Sequence, residues 1–113
     1  ENFLITEGGA QHLLRPALVG QAFPVRLQRE SSAPSLRFRV HGPLCTALDQ
    51  LGTFDLPADC RAGDQLEFSL AGAYGFTESM PFFLCHEGAA ELIREKGEIR
   101  VLREAMNPEE WLR

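Results

Sequence analysis

The side chains with most chemistry to offer are the thiol of Cys45, the phenol of Tyr74, the guanidinium of Arg15 and the carboxylate of Asp49. Cys45 follows Gly42-Pro43-Leu44, and a glycine-proline pair stops the strand that reaches it, so Cys45 is predicted on an exposed turn. Asp49 lies four residues on, close enough to return and bond the backbone of that turn. A thiol presented this way can be a nucleophile, an acid or a metal ligand, or it can pack as a small apolar side chain. The metal reading has little behind it: His12, His41, His86 and the cysteines lack paired ligands at the spacing a zinc site uses. A Cys-His hydrolase built on Cys45 and His41 has no orienting carboxylate or oxyanion hole in a predictable place, and His41 reads as a solvent-facing strand residue.

The elements that must position these groups are mostly strands. Phe3 to Thr6 reads as a short buried strand ended by Gly8-Gly9, and Pro16 blocks a helix entering from Gln11. Phe23 to Arg29 alternates apolar and polar residues, with Phe23, Val25 and Leu27 on one face. Leu36 to His41 alternates again, with Leu36, Phe38 and Val40 inward, and the two runs are expected to pair as an antiparallel hairpin across the loop Glu30 to Ser35. Leu56-Pro57 and Ala62-Gly63-Asp64 read as turns, and Gln65 to Leu70 as a strand with Leu66, Phe68 and Leu70 on one face. Met80 to Leu84 reads as a short strand or buried loop. Ala90 to Glu95 and Glu98 to Arg103 flank Lys96-Gly97, a two-residue hairpin turn. Asn107-Pro108-Glu109-Glu110 is a helix start, giving one short helix around Trp111. Closely spaced strands with almost no helix make a mainly β chain, an antiparallel barrel or sandwich.

The 113 residues suit a single domain, 1–113. A net charge of -5 offers no basic stripe for nucleic acid, and no apolar run nears the roughly 20 residues of a membrane span. Three cysteines, far apart and without a CxxC pair, read as reduced thiols in a cytoplasmic protein. The chain opens at Glu1 directly in an apolar run and holds one lysine, Lys96, so it is expected to be a segment of something longer.

Several short motifs, in order, carry a resemblance. Glu7-Gly8-Gly9, Arg15-Pro16-Ala17-Leu18, Gly42-Pro43-Leu44-Cys45, Leu56-Pro57, Gly63-Asp64 and Gly72-Ala73-Tyr74 together resemble the C-terminal β-barrel domain of the fold-type III decarboxylases that use pyridoxal 5'-phosphate (PLP). These include the ornithine, diaminopimelate and carboxynorspermidine decarboxylases, and their barrel is like the C-terminal domain of alanine racemase. The resemblance covers nearly the whole chain. It implies that Cys45 is the proton donor to the substrate carbon once CO2 has left, a task suited to a thiol that is mostly protonated at neutral pH. It implies that Tyr74 bonds the cofactor phosphate, with Gly72 leaving the backbone open to approach, and that Arg15 holds a substrate carboxylate. Asp49 and Gly42 would fix the cysteine turn.

Two positions depart from the family pattern. Thr46 stands where an acid usually binds the distal ammonium of a diamine, and Val19 stands where a tyrosine usually follows the RPAL motif. The strings around Cys45, Tyr74 and Cys85 are similar to a branch found with biosynthetic or exopolysaccharide-export systems, whose substrates are not diamines. The resemblance further implies a TIM-barrel partner domain of on the order of 250 residues carrying the cofactor lysine. It also implies a homodimer, in which Cys45 reaches the other subunit's PLP, and a small amino-acid substrate. Lys96, at a hairpin tip, is not that lysine, so this segment alone is expected to be inactive. The family's barrel borrows a strand from the N-terminus of the full chain, so a sheet edge is expected to lie unpaired here. The alternative is a non-catalytic binding or assembly module that keeps the barrel and has lost the chemistry, for which Thr46 and Val19 speak.

Overall fold

The computed structural model describes residues 1–113, the side chains of Trp111 and Leu112 excepted. Its elements in chain order are β1 (Asn2–Ile5), α1 (Arg15–Val19), β2 (Val25–Leu27), β3 (Ser35–His41), β4 (Gln50–Pro57), β5 (Leu66–Phe68), β6 (Glu91–Glu95) and β7 (Glu98–Arg103). Short 3-10 helices lie between β5 and β6, at Phe83–Cys85, and after β7, at Pro108–Leu112, the second capped by the Asn107 side chain, which accepts from the Glu109 N–H. The chain is mainly β, as its patterning predicts. Its strands form three small sheets, not one closed barrel: β1-β3-β4, β2-β5 and the hairpin β6-β7. One ladder, β1 with β3, is parallel; the other three are antiparallel.

Two of these sheets make a sandwich. Phe38 and Val40 of β3 and Leu51 and Leu56 of β4 form its buried centre, with Val25, Leu66 and Phe68 of β2-β5 packed against them. A second cluster, Ala10, Leu14 and Leu44 with Ala17 and Met80, lies beside α1.

The expected hairpin between the second and third strands does not form. β2 pairs with β5 (Val25 opposite Phe68), and β3 pairs with β4, a strand that the sequence reading did not find, marking only its end, Leu56-Pro57, as a turn. The intervening loop is instead a corner between layers, tied to the segment after β4. Arg29 donates through Nε and Nη2 to the two carboxylate oxygens of Asp64, at 2.7 and 2.8 Å. Its Nη2 also reaches the Asp59 carbonyl at 3.0 Å, and Ser31 Oγ donates to Asp59 at 2.7 Å. β1 is a strand but an exposed one, with only Leu4 half-buried. Leu36, expected inward, is exposed, because the opposing ladder is only three residue pairs long and does not reach it. Leu70 turns out at positive φ beyond β5 and is exposed. The segment 80–84 is neither strand nor buried: Phe83 and Leu84 enter a 3-10 turn on the surface. His41 is half-buried, not solvent-facing, its ring 5.8 Å from that of Phe3.

The Arg29 corner gives this sandwich an acid-sensitive joint. Hydrogen bonds from the Arg29 guanidinium, then from the Arg61 backbone, hold the Asp64 carboxyl down to about 2. A carboxylate depressed on folding adds stability that is present above its unfolded value, about 4, and is lost as pH falls toward the folded one. The melting temperature of this chain is expected to fall between about pH 4 and pH 2, and Asp64→Asn should flatten that acid limb in a thermal-melt series.

Candidate functional site

The site begins where the β3-β4 ladder is interrupted. The register shifts between Val40 and His41, and Gly52 opposite takes φ +134°, leaving its Cα against the Phe54 ring with no room for a Cβ. A bulge re-aims the strand at its end, and the chain leaves β3 through Gly42-Pro43. Thr6 donates its N–H to the His41 carbonyl at 2.9 Å, closing β1 over the exit.

Asp49 then organises everything around it. It is 2 % exposed. Its Oδ2 accepts the Leu44 N–H at 2.6 Å and its Oδ1 the Ala10 N–H at 2.7 Å. The carboxylate sits between Gly9 and Gly42, and a Cβ on either glycine would fall on it. The Asp49 N–H donates to the Thr46 carbonyl at 3.1 Å, and the Thr46 hydroxyl accepts the Leu48 N–H at 3.2 Å. The result is a tight turn, 44–49, with Cys45 exposed at its start. Among the described residues no hydrogen bond joins Cys45 to His41, and the buried Nε2 of His41 has no partner. Thr46 is half-buried with its hydroxyl spent on the turn itself.

Ala10 carries the connection further. Its carbonyl accepts the Met80 N–H at 3.1 Å, so the segment 71–80 hangs from the residue that Asp49 holds. Within that segment the Glu78 N–H donates to the Tyr74 carbonyl at 2.9 Å, and Ser79 Oγ donates to the Gly75 carbonyl. This helical turn puts Tyr74 and Glu78 on one side, where residues four apart meet. Tyr74 has φ +65°, a left-handed conformation that costs a non-glycine residue about 1 kcal/mol or more, and its ring is exposed. Space beyond Gly72 is open, so a group from another body can approach this backbone.

Arg15, at the start of α1, reaches the same place. Its guanidinium carbon lies 5.0 Å from the Tyr74 ring centroid, Nη1 donates to both Glu78 oxygens at 2.9 and 3.2 Å, and Nε donates to Gln21 at 2.9 Å. α1 ends at Val19, exposed, with Gly20 in the left-handed region as its cap. Lys96, at φ +50° in the β6-β7 turn, lies on the hairpin remote in sequence from these groups.

Structure therefore links Cys45, Asp49 and Gly42 in one turn, and Tyr74 and Arg15 in a second group, through Ala10. Sequence reading missed Ala10, Gln21, Glu78 and Met80. Only Glu78 left a signal, its position four residues after Tyr74. Two cavities lie to either side: an open groove of about 460 Å³ between α1 and the start of β4, and one of about 240 Å³ bordered by Gln11 and Gly72. Neither is lined by Cys45, Arg15 or Tyr74; Cys45 and Tyr74 are exposed, while Arg15 is half-buried. Among the described residues no cluster of three His, Cys, Asp or Glu side chains could hold a metal, and no helix is long and apolar enough to cross a membrane.

Comparison with known proteins bears on the fold and the family. The family model described as pyridoxal-dependent decarboxylase, C-terminal sheet domain, matches residues 1–72. The diaminopimelate decarboxylase of Neisseria meningitidis serogroup B is 29% identical over 91% of this chain and 24% of its own. A crystal structure of a diaminopimelate decarboxylase superposes with a TM-score of 0.85 at 28% identity, over 97% of this chain and 29% of that one. The Helicobacter pylori diaminopimelate decarboxylase, solved in complex with L-lysine, gives 0.82 at 28% identity, over 96% of this chain and 26% of that one. The chain thus spans about a quarter of the length of the proteins it resembles. With the family model covering more than half its residues, and nearly the whole chain superposing on solved decarboxylases, this chain belongs to the pyridoxal-dependent decarboxylases, as their C-terminal sheet domain.

Proposed function

We propose that this chain is the part of a PLP-dependent amino-acid decarboxylase that brings a proton donor and a phosphate contact to an active site completed by other parts of the enzyme. The observation that carries the reading is the connection from Asp49 through Ala10 to Met80, which ties the turn of Cys45 to the segment of Tyr74. Two outward-facing groups held to one reference point suit a surface that closes onto a cofactor bound elsewhere. The residues present fit PLP: Tyr74 offers an exposed phenol O–H to a phosphate, and the backbone at Gly72 is accessible.

When bound, PLP supplies the electron sink that lets an α-amino acid lose CO2. The work of this chain is to hold and deliver. Asp49 takes up the Leu44 N–H, so the turn presents the Cys45 thiol at a fixed angle. Cys45 Sγ gives its proton to the substrate carbon from which CO2 has departed, and the thiolate regains a proton from solvent before the next turnover. Tyr74 anchors the phosphate and so fixes the distance over which that proton moves. Arg15 faces the substrate side of the same surface.

The cofactor lysine belongs in this reading to a TIM-barrel domain of the same polypeptide. Two such polypeptides pair, so that Cys45 of one serves the cofactor of the other. Three unpaired thiols fit a reducing cytoplasmic setting. The test is to read the coding sequence upstream of Glu1 and to assay the whole enzyme with PLP for CO2 release from α-amino acids. The expected outcome is an upstream barrel domain carrying a PLP lysine, with CO2 release that Tyr74→Phe weakens through a PLP Kd raised about tenfold. An initiator methionine immediately before Glu1 would decide for the binding module instead.

A further inference from the structure

We propose that Glu78 sets substrate specificity by occupying, from within the chain, the place on Arg15 that a distal substrate carboxylate would take. The proposal rests on reading Arg15 as a substrate-facing residue of the decarboxylase.

A guanidinium grips a carboxylate with two parallel N–H groups, either from its two terminal nitrogens or from Nε and one terminal nitrogen. Here Nε is given to Gln21 at 2.9 Å, and Nη1 to both oxygens of Glu78. Nη2 is the remaining nitrogen, and it cannot form a two-point grip alone. Tyr74 lies against the guanidinium at 5.0 Å, covering it further. A substrate carboxylate entering this place must displace Glu78 or Gln21, and displacing only Gln21 would set two carboxylates side by side on one cation.

Glu78 is built into this position. Its N–H is bonded to the Tyr74 carbonyl, and its side chain and that of Arg15 are mostly buried, only 25% and 30% exposed to water. The cationic end of a diamine fares no better nearby. Thr46 brings no charge, and its hydroxyl is committed to the Leu48 N–H. The site therefore selects an α-amino acid whose far end carries neither a carboxylate nor an ammonium group.

The experiment is isothermal titration of the full-length enzyme with pimelate, a dicarboxylate that carries no amino group. Wild type is expected to bind it weakly. Glu78→Gln, which keeps the shape and removes the charge, should bind about tenfold tighter or more, and Glu78→Ala should show the same gain if the first variant folds poorly. Arg15→Gln in the Glu78→Gln background should abolish the gain. Pimelate binding in wild type as tight as in Glu78→Gln, or a gain that survives loss of Arg15, would overturn the proposal. The decarboxylase reading is tested apart from this, by CO2 release from α-amino acids of every side-chain class, charged ones included. Failure there would remove the enzyme assignment whatever the titration showed.

Discussion

In the full-length enzyme, Cys45→Ala is expected to slow product formation about a hundredfold or more, the usual worth of a positioned general acid. PLP affinity should hardly change, because Tyr74 and the segment around it hang from Ala10 and not from the cysteine side chain. Cys45→Ser should not rescue the rate, since a serine hydroxyl is a far poorer proton donor than a thiol. Product formed in deuterium oxide supplies the sharper readout. With Cys45 present, one deuteron should enter on a single face of the substrate carbon; without it, solvent should deliver to both faces. A fall of less than about tenfold with stereochemistry intact would give the proton transfer to another group.

The second large effect is on stability and falls on Asp49. Asp49→Ala leaves the Leu44 and Ala10 N–H groups buried without an acceptor, and each costs about 1–3 kcal/mol. The chain should lose about 3–5 kcal/mol, among the largest values a single substitution gives, read as a shift of its denaturation midpoint at constant slope. Asp49→Asn, with one oxygen exchanged for a donor, should lose less, about 2 kcal/mol. Gly42→Ala should resemble Asp49→Ala, because its Cβ would drive the same carboxylate away. If Asp49→Ala melts like wild type, the carboxylate is not what holds the two segments together.

Those residues also mark how far the sequence could be read. Strand alternation located β2, β3 and β5, and the Lys96-Gly97 turn located the β6-β7 hairpin. β4 escaped for a physical reason. Leu51 and Leu56 are both buried, yet an odd spacing puts them on opposite faces of a regular strand. Gly52 at φ +134° shifts the phase between them, and a positive φ leaves no mark on the apolar pattern. Pairing was misread because the alternation of β2 and β3 says which face is buried and nothing about which neighbour covers it. The Arg29-Asp64 corner decides that, and its partners lie 35 residues apart. At the site, motif order brought out Cys45, Asp49, Tyr74 and Arg15. Glu78 was passed over because its role depends on the left-handed Tyr74 and the turn after it.

The β6-β7 hairpin stands apart from the packed layers. Leu92, Ile99, Val101 and Leu102 are all exposed. The Gly88-Met106 bridge closes the hairpin's own base, and its ties to the remainder include the Arg103 guanidinium stacked 3.9 Å from the Phe76 ring. Few buried contacts mean a small local opening free energy. The hairpin can therefore peel from the sandwich while β3 and β4 stay folded, carrying with it the Phe76 end of the segment that holds Tyr74. A clamp on this hairpin is expected to quiet the Tyr74 phenol as well, so order at the far end of the domain and order at the Tyr74 surface should rise together.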